Sequence, residues 1–193
     1  MTAMMAPTVM PWLTAVHRFT DRSVTRAGRF GATAAFASGY LVVWLAYSVC
    51  AAAAQVALQM FESVSAGSHV RAAVLVAAGL FQLAPLKHAC LTHCRNPLTY
   101  FLTRWRSGPV GGFHMGLGHG AYCVGCCWAL MATALALGVM NLWWMAALTA
   151  AVFVEQVVPR GQLIRVPLAL ALIVAGVAPA LTASWSAPCC GWP

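Results

Sequence analysis

The stretch Ala32–Met60, ATAAFASGYLVVWLAYSVCAAAAQVALQM, contains no charged side chain over 29 residues. A helix rises about 1.5 Å per residue and a bilayer hydrocarbon core is about 30 Å thick, so a transmembrane helix needs roughly 20 apolar residues. This stretch is long enough to cross a bilayer with some tilt. It therefore predicts a membrane-spanning helix.

The composition of the whole chain favours a membrane protein. Of its 193 residues, 62% are hydrophobic and 7% are charged, whereas an ordinary soluble domain has roughly 25% charged residues. The net charge is +8, but the basic residues lie in short clusters between long apolar runs, and no basic stripe with interleaved aromatics is present. We therefore expect an integral protein whose partner is the lipid bilayer, with no nucleic-acid partner.

Other uncharged stretches give further candidate spans. The region between Arg106 and Glu155 is uncharged and is about twice one crossing, so we expect it to fold back near Gly138–Asn141. The sequence predicts a single all-α domain over residues 1–193, a polytopic transmembrane helix bundle of five to six spans with a short or truncated first span. The candidate spans are Met1–Val16, broken by Pro7 and Pro11; Ala32–Met60; the residues between Arg71 and Lys87; Pro109–Leu137; Leu142–Val158; and Val166–Ala183.

The basic residues indicate how these spans are oriented. Threading six spans alternately places ten of the eleven Lys and Arg residues on one side and leaves only Arg71 on the other. By the positive-inside rule the basic side is cytoplasmic. We therefore expect a multi-pass protein of the cell inner (cytoplasmic) membrane with both termini outside.

The strongest local pattern lies in the fourth span, around His119-Gly-Ala-Tyr-Cys123-Val-Gly-Cys126-Cys127. At about 100° per residue, Met115, His119, Cys123 and Cys126 share one stripe, with Cys127 at its edge. One helix face thus offers an imidazole, thiols and a thioether. This set suits Cu(I), or Zn(II) if the thioether is not used.

The same span carries a second periodic feature on its flank. Gly112, Gly116 and Gly120 repeat every four residues, which is the small-xxx-small arrangement that lets a neighbouring helix backbone approach closely. Close approach is what a site shared between helices requires.

A second cluster follows the third span. If that helix continues past Leu86, Cys90 and Cys94 stack at i, i+4 with His93 alongside, before Pro97 ends the helix. We expect this cluster at about the depth of His119. The alternative is that these cysteines are small hydrophobic residues of apolar helices, which is the interpretation we adopt for Cys50.

The fifth span has two polar positions, Asn141 and Glu155, on one face. An intramembrane carboxylate is a functional candidate by default. Glu155 can accept a hydrogen bond from a metal-bound His119 and so fix its orientation. Alternatively, it forms a structural ion pair with Arg160 or Lys87.

These motifs resemble a bacterial family of predicted metal-binding integral membrane proteins that carry a domain of unknown function and are sometimes labelled copper chaperones. The resemblance extends over nearly the whole chain and is most specific at the His119–Met131 run. It implies a helical membrane fold and metal binding. Residues Met4–Pro11 look like the Met-rich first helix of the family, which here starts partway through.

The leading hypothesis is a protein that binds or hands over Cu(I) at the cytoplasmic end of the bundle, with a partner membrane protein or metal acceptor. We expect no enzymatic activity. One alternative is a thiol-disulfide oxidoreductase that uses Cys123 and Cys126. Another is an accessory subunit of a copper-dependent membrane enzyme complex, docked through the glycine face. The candidate metal ligands are Cys90, His93, Cys94, Met115, His119, Cys123, Cys126 and Cys127, supported by Asn141 and Glu155.

Overall fold

The structure is a computed structural model that describes residues 2–20, 25–61, 64–137, 142–158 and 160–181. Within these residues it contains helices and no strand, which confirms the all-α prediction. A short 3-10 turn, Gly161–Ile164, precedes the last helix. The helices are α1 (Thr2–Phe19), α2 (Arg26–Phe61), α3 (Val64–Leu83), α4 (Pro85–Arg95), α5 (Pro97–Arg104), α6 (Gly108–Leu137), α7 (Leu142–Val157) and α8 (Arg165–Leu181).

Helix α1 differs from its prediction. We expected Pro7 and Pro11 to break the first span, because proline removes a helix hydrogen bond and its ring clashes with the preceding turn. The helix nevertheless continues through both prolines to Phe19. Its residues Trp12 and Val16 are buried against the rest of the bundle, and this packing stabilises the helix despite the prolines.

The third predicted span is bent. It divides into α3 and α4, which meet at 64°, so the helix does not continue unbroken past Leu86, and Cys90 and Cys94 stack within α4 instead. Pro85 disfavours the helical conformation for the residue before it, and Ala84 accordingly has φ −63° and ψ 141°. The bend makes α4 a separate short helix that packs against α6.

The glycine repeat of α6 packs against α2, as its spacing predicts. A Cβ at Gly112 would lie 2.6 Å from the Ala32 carbonyl oxygen, and one at Gly116 would overlap the Phe36 carbonyl oxygen. On α2, Gly39 in turn faces the α6 backbone at Phe113. Because α2 covers the glycine face, the prediction that this face docks a partner protein is wrong.

Helix lengths bear on the membrane prediction. Among the described residues, one helix, at Arg26–Ala57, is long and apolar enough to cross a bilayer, and the bent pair His69–Leu83 with Pro85–Arg95 passes the same test when taken as one span. Two shorter apolar helices are Leu142–Val157 and Arg165–Ala178. The expected turn at Gly138–Asn141 and the residues beyond Leu181 lie outside the described part.

Candidate functional site

Four buried cysteines from two helices meet where α4 packs on α6. Cys94 extends from α4, and Cys123, Cys126 and Cys127 come from adjacent turns of α6; we call these four residues the thiol cluster. The Cys94 Sγ lies 3.8 Å from the Cys126 Sγ. The sequence placed the Cys90–Cys94 group and the His119–Cys127 group at one depth, and Cys94 of the first group lies against Cys126 of the second.

The helix geometry of α6 explains the arrangement of its three thiols. The Cys126 and Cys127 thiols each donate to the carbonyl oxygen of Cys123, at 3.1 and 2.9 Å respectively. Spacings of three and four residues place side chains on one helix face. All four cysteines are free thiols rather than disulfides.

Two polar side chains from other helices contact the sulfur atoms. The Gln156 side-chain amide of α7 donates to the Cys126 Sγ at 3.2 Å and lies 3.7 Å from the Cys123 Sγ. From α2, the Tyr40 hydroxyl lies 3.6 Å from the Cys123 Sγ. Hydrogen bonds donated to sulfur favour the thiolate, which is the metal-binding form.

His119 lies beside the cluster, one turn before Cys123, and is only 3% exposed. Its imidazole stacks on the Trp12 indole with 3.7 Å between ring centroids. The Trp12 Nε1 donates to the Cys94 carbonyl oxygen at 3.2 Å. Helix α1 therefore covers both the imidazole and the thiol-bearing turn of α4.

Met115 continues the stripe one turn before His119 and is also buried. Its carbonyl oxygen accepts a hydrogen bond of 3.0 Å from the Tyr100 hydroxyl of α5. Burial raises the pKa of Tyr100, so the phenol stays protonated and remains a donor at neutral pH. This bond links α5 to the stripe of α6.

The other residues that the sequence singled out are not members of the thiol cluster. Cys90 is half-buried, and its sulfur packs at Gly125, where an added Cβ would be 3.1 Å away. His93 is exposed and its ring stacks on Tyr122. Cys50, expected in the core, is exposed on α2. Asn141 falls outside the described residues.

Glu155 forms the second buried polar group at this end of the bundle. Its carboxylate pairs with the Lys87 ammonium at 2.6 Å and accepts a hydrogen bond of 3.2 Å from the Gln82 amide. Lys87 also donates to the Gln82 side chain. The structure thus shows the ion-pair alternative, and the contacts of the described residues include none between Glu155 and His119.

Sequence reasoning missed three residues of the site: Trp12, Tyr40 and Gln156. Gln156 had a signal, because it is a polar residue beside Glu155 in an otherwise apolar helix. The two aromatic residues had none, since aromatics are ordinary in apolar helices. As the side chains are placed, no group of three or more His, Cys, Asp or Glu residues in the described part of the chain is arranged to hold a metal ion.

One comparison with known proteins gives a match. The model of a family described as PpoB2, copper chaperone, matches residues 1–179. Neither a curated protein nor a solved structure matches the chain. The matched range includes α1, the thiol cluster, His119 and the Lys87–Glu155 ion pair.

Proposed function

This chain belongs to the PpoB2 copper chaperone family, and from that premise we propose that it binds Cu(I) in its helical bundle and hands the ion to an acceptor. The ligands are drawn from the thiol cluster and His119. The observation that carries the proposal is the 3.8 Å approach of the Cys94 and Cys126 sulfur atoms from different helices.

The donor set favours Cu(I) because soft thiolate ligands select this ion. The thiols of Cys126 and Cys127 now donate to the Cys123 carbonyl oxygen, so deprotonation and rotation about χ1 would free both sulfur atoms for a metal. The hydrogen bond that the Gln156 amide donates to the Cys126 Sγ supports the thiolate state.

We further propose that the protein resides in the inner membrane as a multi-pass bundle, with the thiol cluster near the cytoplasmic end. Exposed apolar side chains on α2, α7 and α8 support lipid contact, and α6 at 30 residues is about 45 Å long. The bend between α3 and α4 is compatible with a span that is broken at a proline.

Metal analysis tests this function. The full chain, purified in mild detergent under reducing conditions, is expected to retain copper, measured by mass spectrometry. Cys123→Ser and Cys126→Ser should lower the bound copper, while Cys50→Ser, which changes an exposed thiol of α2, should not. Absence of copper from the wild-type protein, or equal copper in all three variants, would contradict the proposal.

A second candidate is a dithiol-disulfide couple, and one distance favours it. Cys94 and Cys126 are close enough for small movements to form a disulfide across α4 and α6. Oxidation would release two protons and two electrons to an acceptor such as a quinone. Thiol titration across a redox series, without metal, should then show a reversible disulfide that Cys94→Ser abolishes.

A further inference from the structure

A small cavity between α1, α4 and α7 borders the thiol cluster. It has a volume of about 110 Å³, and its lining includes Trp12, Cys94, Arg95 and Gln156. Two larger cavities, of about 380 and 470 Å³, lie around Tyr100 and Arg104 and contain no cysteine in their lining. Among these three cavities, the smallest is therefore the one whose lining includes a residue of the thiol cluster.

Among the described residues that line this cavity, Arg95 is the one charged residue, and it is positive. The Arg95 guanidinium donates to the carbonyl oxygens of Glu155 and Val158 at 3.0 and 2.9 Å, which orient it without neutralising its formal charge. Glu155 is the one acidic residue in the described part of the chain, and its carboxylate pairs with Lys87. A bare cation approaching the cavity is repelled, whereas an anion is attracted.

We propose that an anionic bis-thiolate complex of Cu(I) with a small carrier thiol docks at the mouth of this cavity, and that Cys94, in the cavity wall, is the first protein ligand. The inference rests on the proposed function and deepens it by assigning the chemical class of the copper donor. This route explains how a cation can pass the positively charged Arg95, because two carrier thiolates give the Cu(I) complex a net negative charge.

Transfer is a ligand exchange without a change of oxidation state. A bond forms between copper and the Cys94 Sγ, one bond between copper and a carrier sulfur breaks, and the Cys94 thiol proton moves to the departing carrier thiolate. The Cys126 Sγ, 3.8 Å from the Cys94 Sγ, repeats the exchange and releases the second carrier as a thiol. Gln156 lines the cavity and contacts the Cys126 Sγ, so it lies on the path between the two steps.

Transfer kinetics test the proposal with two carriers of opposite charge. The full chain in neutral-lipid nanodiscs is mixed with the Cu(I) complex of glutathione, which is anionic, or of cysteamine, whose ammonium groups make the complex cationic. Protein-bound copper is measured by rapid gel filtration and mass spectrometry. We expect faster initial transfer from glutathione and a rate that falls as salt increases.

Substitutions of two arginines test whether the charge dependence of the transfer rate arises at this cavity. Arg95→Gln should slow transfer from the glutathione complex by about tenfold at low salt, and Arg95→Lys should retain most of the rate. Arg104→Gln is the matched control, because it removes an arginine from cavities that contain no cysteine. It should change the rate by less than about twofold, since salt screens distant charges.

The outcomes separate this inference from the proposed function. Copper uptake at equal rates from both carriers and at all salt concentrations would overturn the delivery route and leave copper binding intact. An equal effect of Arg95→Gln and Arg104→Gln would also overturn it. Failure of the wild-type chain to take up copper from either carrier would contradict the proposed function itself. If Arg95→Gln does not fold, equal transfer from both carriers to the wild-type protein still overturns the delivery route.

Discussion

Two buried polar centres lie side by side near the C-terminal end of α7, and they differ in the hydrogen-bond partners of their polar atoms. In the ion-pair centre, Lys87, Glu155 and Gln82 engage one another through charged and amide groups. In the thiol cluster, the sulfur atoms contact one another, helix carbonyls and the Gln156 amide. In the first centre the two charges pair with each other, which links α4 to α7. The thiols of the second centre make weak hydrogen bonds, and a soft metal can take the place of their protons.

The comparison shows how neighbouring residues on one helix serve different purposes. Glu155 and Gln156 are adjacent in α7, yet one joins the ion pair and the other contacts sulfur. A rotation of α7 would therefore disturb both centres together. The ion pair fixes that rotation, and so it positions Gln156 against the thiol cluster.

The largest effect is expected from breaking the ion pair. Lys87→Met leaves the Glu155 carboxylate buried without its cation and should lower the free energy of unfolding by about 3–5 kcal/mol. Replacing both partners, as Lys87→Met with Glu155→Leu, should recover most of that loss. Denaturant unfolding in detergent, followed by circular dichroism, measures the unfolding free energy of both variants. Equal losses in the single and double variants would show that the buried charge does not depend on its partner.

The thiol cluster should respond in binding rather than in stability. Cys94→Ser removes a sulfur that contacts Cys126, and we expect the Cu(I) affinity to fall by at least about a hundredfold, because even residues outside the ligand set change metal affinity by 10- to 100-fold. The unfolding free energy should change by less than about 1 kcal/mol, because the serine hydroxyl in α4 can donate a hydrogen bond to a carbonyl oxygen of the preceding helical turn. Competition with a chromogenic Cu(I) chelator measures the affinity, and Cys50→Ser is the control.

The smallest effect is expected at Gln156, the residue of α7 that contacts the thiol cluster. Gln156→Leu removes the amide that donates to the Cys126 Sγ and should weaken Cu(I) binding by about tenfold. Gln156→Glu adds a negative charge beside the thiolates and should weaken it more, through like-charge repulsion. A chelator competition that gives identical affinities for wild type, Gln156→Leu and Gln156→Glu would show that α7 does not act on the thiol cluster.

Much of this architecture follows from local sequence patterns. The uncharged run at Ala32–Met60 and the glycine repeat of α6 predict α2 and its packing partner, because both depend on periodicity along a single helix. The stripe that contains His119 and Cys123 likewise follows from periodicity along a single helix. The approach of Cys94 to this stripe was expected from matching depth in the membrane.

Other features depend on how helices turn relative to each other. The bend at Pro85 had a signal in the sequence, but its direction, which brings α4 onto α6, is a property of the packing. The stack of Trp12 on His119 joins residues more than a hundred positions apart. The choice of Lys87 rather than His119 as the partner of Glu155 likewise depends on the rotation of α7.

X-ray absorption spectroscopy at the copper edge, on the full chain loaded with Cu(I) in detergent, tests the central claim most directly. Sulfur ligands contributed by both α4 and α6 should give a Cu(I) edge with two or three sulfur neighbours, and Cys94→Ser should reduce the sulfur count. A spectrum of oxygen and nitrogen neighbours alone, or one that Cys94→Ser and Cys126→Ser leave unchanged, would contradict a copper site in the thiol cluster.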